Sequence, residues 1–277
     1  VYNPAEYRSY LHTGHFDYLY DKVGLYDTLR AVMRGEAPAC RITSCWQALE
    51  GIQHNMLNFL ENHDEQRIAS AFFAGSPEPG IPGMLVSALM HTNPVMIYSG
   101  QELGEPGMDE EGFSGRDGRT TIFDYWSLES LRSWSNNGTF DGAGLTDGQR
   151  QLRSRYQQIL TIAQTEPAVV KGTFYDLTYA NLDNPHFNAH RHYVFLRKHE
   201  NDVLLVVANF SETAQTVRIR IPDEVFNALG FADNQAARLT DLLTGKQSIG
   251  TLTSACPFQL SLPAYSGRVI KFNYAPF

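Results

Sequence analysis

The residues best placed to do chemistry lie in one short stretch, Asn58 to Ser70, reading NFLENHDEQRIAS. An apolar run of Met56, Leu57, Phe59 and Leu60 breaks off into Glu61, Asn62, His63, Asp64 and Glu65. Carboxylates and an imidazole side by side can exchange protons and hydrogen-bond a polar ligand. A His-Asp pair is ordinarily a surface or structural feature, so its position at the end of an apolar segment is what matters. A second cluster, His186, His190 and His192, falls in NPHFNAHRHYVF. Imidazoles at such spacing can ligate zinc, with His190 and His192 expected on one strand face, but no carboxylate or Cys completes a set nearby. A third candidate is the loop 105–126, rich in acids and aromatics that suit a polyhydroxylated ligand: carboxylates accept from hydroxyls and aromatic rings stack on apolar ring faces. Its Phe123 and Trp126 read equally well as packed side chains, and Trp134 reads as core in preference to a stacking platform.

Positioning such groups requires a scaffold, and the pattern changes character once along the chain. Up to about residue 171, short apolar or aromatic strands (16–21, 56–60, 94–98) alternate with helical segments (24–36, 45–52, 80–92, 148–166). Strands that are apolar on both faces are typical of a parallel sheet covered by helices. From 172 onward, strands at 173–180, 192–199, 203–210, 215–221, 258–262 and 268–274 follow one another with hardly a helix between them. Alternation in TVRIRI marks an antiparallel sheet with a solvated face. The expected organisation is therefore a β/α region, 1–171, and an all-β sandwich, 172–277.

Composition bounds the rest. The chain has 277 residues, 43% of them hydrophobic, and a net charge of −8 with scattered Lys and Arg, which argues against a nucleic-acid partner. No apolar run approaches the roughly 20 residues of a spanning helix, so no membrane span is expected. Cys40, Cys45 and Cys256 are too few for a disulfide framework and read as small buried thiols, with a Cys40–Cys45 bridge the alternative.

Taken in order, these segments resemble the α-amylase family, glycoside hydrolase family 13. FLENHD (59–64) resembles its fourth motif at the mouth of the seventh barrel strand, and PVMIYSGQELGE (94–105) its eighth strand and continuation. FDYLYDKVGLYD (16–27) is similar to the sixth strand, and VVANFS, LTDLLTGK and LPAYSGRVIKF to the C-terminal β-domain. The resemblance implies the last three units, about strands 6–8, of a (β/α)8 barrel followed by an antiparallel β-sandwich. In such a barrel the strand C-termini form the active-site mouth. It implies that Asp64 stabilises an oxocarbenium-like transition state, that His63 binds the same sugar, and that Arg67 orients an acid or the substrate. Asn62 would brace the strand end or touch sugar, Glu65 would face solvent, and Glu102 would be a structural acceptor.

Retaining hydrolysis needs a nucleophile and an acid/base. The family's Gly-x-Arg-x-Asp nucleophile pattern is absent, GRDGR (115–119) having the wrong spacing. Val1-Tyr2-Asn3-Pro4 resembles the continuation after the family's catalytic Glu, so the chain is expected to be a C-terminal portion, inactive alone and needing the N-terminal half of the barrel. The implied substrate is an α-1,4-glucan or maltooligosaccharide. Relatives with the same motifs act on α-1,6-, trehalose- or sucrose-type bonds, and a non-catalytic glucan-binding or accessory protein is the alternative. No cofactor is expected in this chain; calcium, where the family uses it, would be held by the missing half. The resemblance favours an extracellular or periplasmic setting.

Overall fold

A computed structural model of the protein describes residues 3–107, 117–123 and 128–275. Three short parallel strands form the first sheet, β1 (Leu19–Tyr20), β2 (Met56–Phe59) and β3 (Val95–Met96), in the order β1-β2-β3. Leu19 pairs with Met56 and Asn58 with Val95, which puts β2 in the middle. The strands are shorter than the sequence suggests, and β1 and β3 are edges bonded on one side only.

Helix α1 (Tyr7–His12) precedes β1, α2 (Asp27–Met33), α3 (Arg41–Ala48) and α4 (Gly80–Leu89) occupy the connections, and α5 (Glu129–Ser135), α6 (Asp147–Thr165) and α7 (Pro167–Val170) follow β3. α6 starts with a capping box between Thr146 and Gln149 and buries Leu152, Tyr156, Ile159 and Ile162, the spacing of one helix face. α4 is buried along its whole length.

The second region is antiparallel. β4 (Thr173–Asp176), β5 (His192–His199), β6 (Asp202–Asn209), β8 (Ala236–Asp241), β9 (Gln247–Thr251) and β11 (Ser266–Asn273) make a six-stranded sheet, ordered β4-β5-β6-β11-β8-β9. β7 (Gln215–Ile219) and β10 (Phe258–Leu262) pair separately. The side-chain period of two sorts the central strands into two cores. Tyr193, Phe195, Leu204, Val206, Ala208 and Val269 pack with α2, α4, α6 and α7, whereas Val194, Leu196, Leu205, Val207, Ile270 and Phe272 pack with the β7–β10 pair and α8 (Asp223–Leu229). The first core thus runs across the expected boundary at 171/172. Gly267 permits this closeness: a Cβ there would collide with Leu85 of α4 and the Val207 carbonyl.

Polar groups tie the same seam. Asp176 accepts from Thr43 (2.6 Å), Trp46 (2.9 Å) and Tyr193 (2.8 Å). Buried Arg197 donates to the carbonyls of Met90, Ala168, Val169 and Gly172 and to Thr92 Oγ1. Burial lowers its pKa to about 10, so the guanidinium remains charged at neutral pH.

Three expectations need correction. α8 interrupts the all-β region, and β8 and β9 carry strands where only loop was read apart from the family-like LTDLLTGK. β9 shows no alternation to read, its residues all being exposed or half-buried. All three cysteines are free, and Cys256 is exposed rather than buried.

Candidate functional site

The five polar residues after β2 have five different fates. Glu61 is buried against fully buried Arg67, with Nη1 of Arg67 2.8 Å from Oε2 of Glu61. Glu61 Oε1 accepts from the Ile68 amide at 2.7 Å. Burial pushes the Glu61 carboxyl up, while the Arg67 guanidinium and the Ile68 amide pull against that rise. Asn62 Oδ1 accepts from the amides of Asp64 (2.8 Å) and Glu65 (3.0 Å), folding the chain into a tight turn. His63 and Asp64 point outward, their side chains 41% and 65% exposed and their Nε2 and Oδ1 3.5 Å apart. Glu65, expected to face solvent, is instead held by Lys22 (3.1 Å) and the Tyr26 hydroxyl (3.1 Å).

The turn therefore presents one imidazole and one carboxylate, and uses the other three side chains to fix them. Tyr26 stacks on Phe59 at 4.7 Å, and Tyr20 meets the same ring edge-on at 5.2 Å. This aromatic layer fixes β2 beside β1 at the end that carries the turn.

Arg67 has no surface to offer a ligand. Besides Glu61, it donates through Nε to Thr120 Oγ1 (2.9 Å) and through Nη2 to the Ser99 carbonyl (2.8 Å), and its guanidinium lies 4.1 Å from the Tyr98 ring centre. Its own amide bonds the Gly118 carbonyl at 2.8 Å. Arg67 is thus fully buried and paired with an acid, Glu61. It holds together the turn after β2, the end of β3 and the segment 117–123.

That segment brings in a residue that sequence reasoning passed over. Arg119 donates through Nε to the Asp64 carbonyl at 2.6 Å, and its Nη1 pairs with Asp117 at 2.7 Å. A guanidinium thus holds the backbone of the turn at Asp64. The signal lay inside GRDGR, but the contact spans 55 residues and has no local spacing to reveal it.

The remaining candidates separate. The buried acceptor after β3 is Glu105, which takes hydrogen bonds from Ser130 and from the Gly107 amide (3.1 Å), rather than Glu102. Glu102 lines an open groove of about 460 Å³ along α6 with Ile97, Arg153 and Gln157. Phe123 is exposed, Trp126 lies outside the described residues, and Trp134 is half-buried, 5.2 Å from Phe140. His190 precedes β5 and is exposed, whereas His192 is buried with Nδ1 accepting from the Asn188 amide, so the two do not share a strand face. Among the described residues no three His, Cys, Asp or Glu side chains gather as a metal site, and no helix is long and apolar enough to cross a membrane.

Comparison with known proteins now bears on this geometry. No family model and no curated protein matches the chain. Solved structures do. AmyP in complex with maltose superposes with a TM-score of 0.63 at 17% identity, over 93% of this chain and 50% of that one. The chain has the fold of the C-terminal part of α-amylase structures. The α-amylase of Geobacillus thermoleovorans, complexed with acarbose, gives 0.60 at 17% over 91% and 47% of the two chains. An Anoxybacillus α-amylase gives 0.64 at 14% over 100% and 52%. These neighbours are members of glycoside hydrolase family 13. At such identities the likeness is one of fold, and the chain spans about half the length of the amylases it matches.

Proposed function

We propose that the turn after β2 forms one side of the active-site mouth of a retaining glycoside hydrolase acting on α-1,4-glucans such as starch or maltodextrins. The observation that carries this reading is the pair His63 and Asp64, left exposed by a turn whose neighbouring polar side chains are all committed to holding it. Asp64 would grip the hydroxyls of the sugar undergoing cleavage and favour its distorted, oxocarbenium-like form, with hydrogen bonds that strengthen in the transition state. His63 would donate to the same sugar, and Arg119 would set the carboxylate's direction through the Asp64 carbonyl.

In this reading the nucleophile and acid/base come from polypeptide that completes a (β/α)8 barrel around the three parallel strands. Two features support such a complement. β1 and β3 are both open edges, and Phe16, Tyr18 and Tyr20 stand exposed at or before β1. On the β3 side, the groove along α6 is lined by Ile97, Leu160 and polar side chains, a surface suited to a packed helix. The six-stranded sheet with its β7–β10 pair would then be the C-terminal β-sandwich domain. No step is assigned to calcium.

The test is direct. The 277-residue polypeptide incubated with soluble starch releases no reducing ends above background, and supplying the complementary barrel half restores turnover. In the restored enzyme, Asp64→Asn lowers kcat by about a thousandfold, the equivalent of ~4 kcal/mol of transition-state stabilisation. Ordinary amylase turnover by the isolated polypeptide, or an Asp64→Asn enzyme with undiminished kcat, would overturn the reading. Glucan binding without turnover in the completed protein would favour the accessory-protein alternative.

A further inference from the structure

Behind the parallel sheet, on the side facing α3, a cavity leaves room for the centre of a water-sized sphere over about 10 Å³. Its polar lining divides cleanly. Cys45 bonds Thr28 Oγ1 at 3.1 Å, Trp46 Nε1 bonds Asp176, Gln53 bonds the Trp46 carbonyl and the Gly51 amide, and Asn58 Nδ2 donates to the Ser87 carbonyl. Three lining atoms are inaccessible and make no hydrogen bond within the protein: Asp21 Oδ1, His91 Nε2 and Asn93 Oδ1. Asp21 directly follows β1 and is 2% exposed. The amides of Gly24 and Leu25 approach its carboxyl and pull against the rise that burial causes, while Oδ1 itself makes no hydrogen bond.

A buried polar atom left without a partner costs about 1–3 kcal/mol, and three around one cavity point to a shared occupant. The inventory of the three atoms specifies it. Asp21 Oδ1 and Asn93 Oδ1 can only accept if Asp21 is ionised, and a neutral imidazole can donate from Nε2. His91 is neutral, because burial and the nearby Arg197 charge lower its pKa to about 3. One water has two protons to give and a lone pair to receive, and about 10 Å³ is room for one.

We propose that this cavity is a binding site for a single internal water, which donates to Asp21 Oδ1 and Asn93 Oδ1 and accepts from His91 Nε2. The water joins the chain leaving β1 to the chain entering β3, behind β2, and so fixes the spacing of the strands on either side of the one that carries His63 and Asp64. The site stands on the cavity and its lining alone, and it holds whether or not the polypeptide belongs to a hydrolase.

A high-resolution crystal structure of this polypeptide tests it. The expected result is one density peak about 2.8 Å from each of the three atoms. A dry cavity overturns the proposal, as does a peak at the roughly 2.3 Å contacts of a bound cation. Oxygen-17 relaxation dispersion gives a second readout in solution: His91→Leu and Asn93→Leu should each remove one long-lived water, and the half-exposed surface control His199→Leu should remove none. Equal numbers of long-lived waters in wild type and in every variant that folds would also overturn it.

Discussion

At the scale of single residues, the candidate site depends on side chains that never meet a ligand. Arg67 and Glu61 form a fully buried ion pair, and removing one partner leaves the other charge without compensation, a loss of about 3–5 kcal/mol. Arg67→Met should lower the denaturant-derived stability by that amount, and adding Glu61→Gln to it should recover part of the loss. A single variant within 1 kcal/mol of wild type, on the scale of an exposed pair, would show that Arg67 is dispensable. Asp21 gives a pH signature. Burial, its largest influence, raises its carboxyl from 3.8 to about 6. Because the folded pKa lies above the unfolded one, the fold binds the proton more tightly. Stability is fully present below about pH 4 and falls as pH rises through 6, by roughly 3 kcal/mol in all. Asp21→Asn should therefore gain on wild type in urea midpoints at pH 8 but not at pH 4, and parallel profiles would refute this. That an apolar strand ends in a run of polar residues around His63 and Asp64 was readable in the sequence, since it is a local pattern. The sequence did not show Arg119, nor that Glu65 is held by Lys22 and Tyr26, because those partners are set by how loops distant in sequence come together.

At the scale of elements, the long strands and helices were legible and the short ones were not. β5 and β10 fall where the runs HYVFLRKH and FQLSL place them, and α6 lies within a residue of its pattern, because packing and local preference agree there. β1 and β3 shrink to two residues each, and nothing in the sequence signals that shortening. The segment 117–123 depends on Gly118, which has φ +78° and whose Cβ would collide with Ser70 Oγ. Gly118→Ala should displace this segment and, with it, Arg119 from the Asp64 carbonyl. In the completed enzyme, KM for maltooligosaccharide and kcat would both worsen, by about tenfold in kcat/KM if roughly 1.4 kcal/mol of positioning is lost. Unchanged kinetics would mean that Arg119 does not govern the direction of Asp64.

At the scale of the molecule, the open sheet edge predicts behaviour in solution. Phe16, Tyr18 and Tyr20 expose aromatic surface at the free edge of β1, where unpaired backbone groups invite another chain. The polypeptide alone should self-associate at micromolar concentration, and Tyr20→Lys should shift it toward monomer in light scattering. Equal monomer fractions for wild type and variant would count against that edge as the contact. The passage from short parallel strands with helices to antiparallel strands was legible as a change of pattern near residue 172. Their shared core was not, because either face of β5 or β6 reads simply as apolar until the fold assigns it a neighbour.

The seam held by Arg197 and Asp176 bears on how such proteins can be recombined. A chimera joined at 171/172 would import a foreign β-region lacking the cation that collects the carbonyls of Met90, Ala168 and Val169, and the acid that receives Trp46. Exchange of parts across that junction therefore requires donor and recipient to carry matching groups on both sides, which makes this β-region a poor candidate for free exchange.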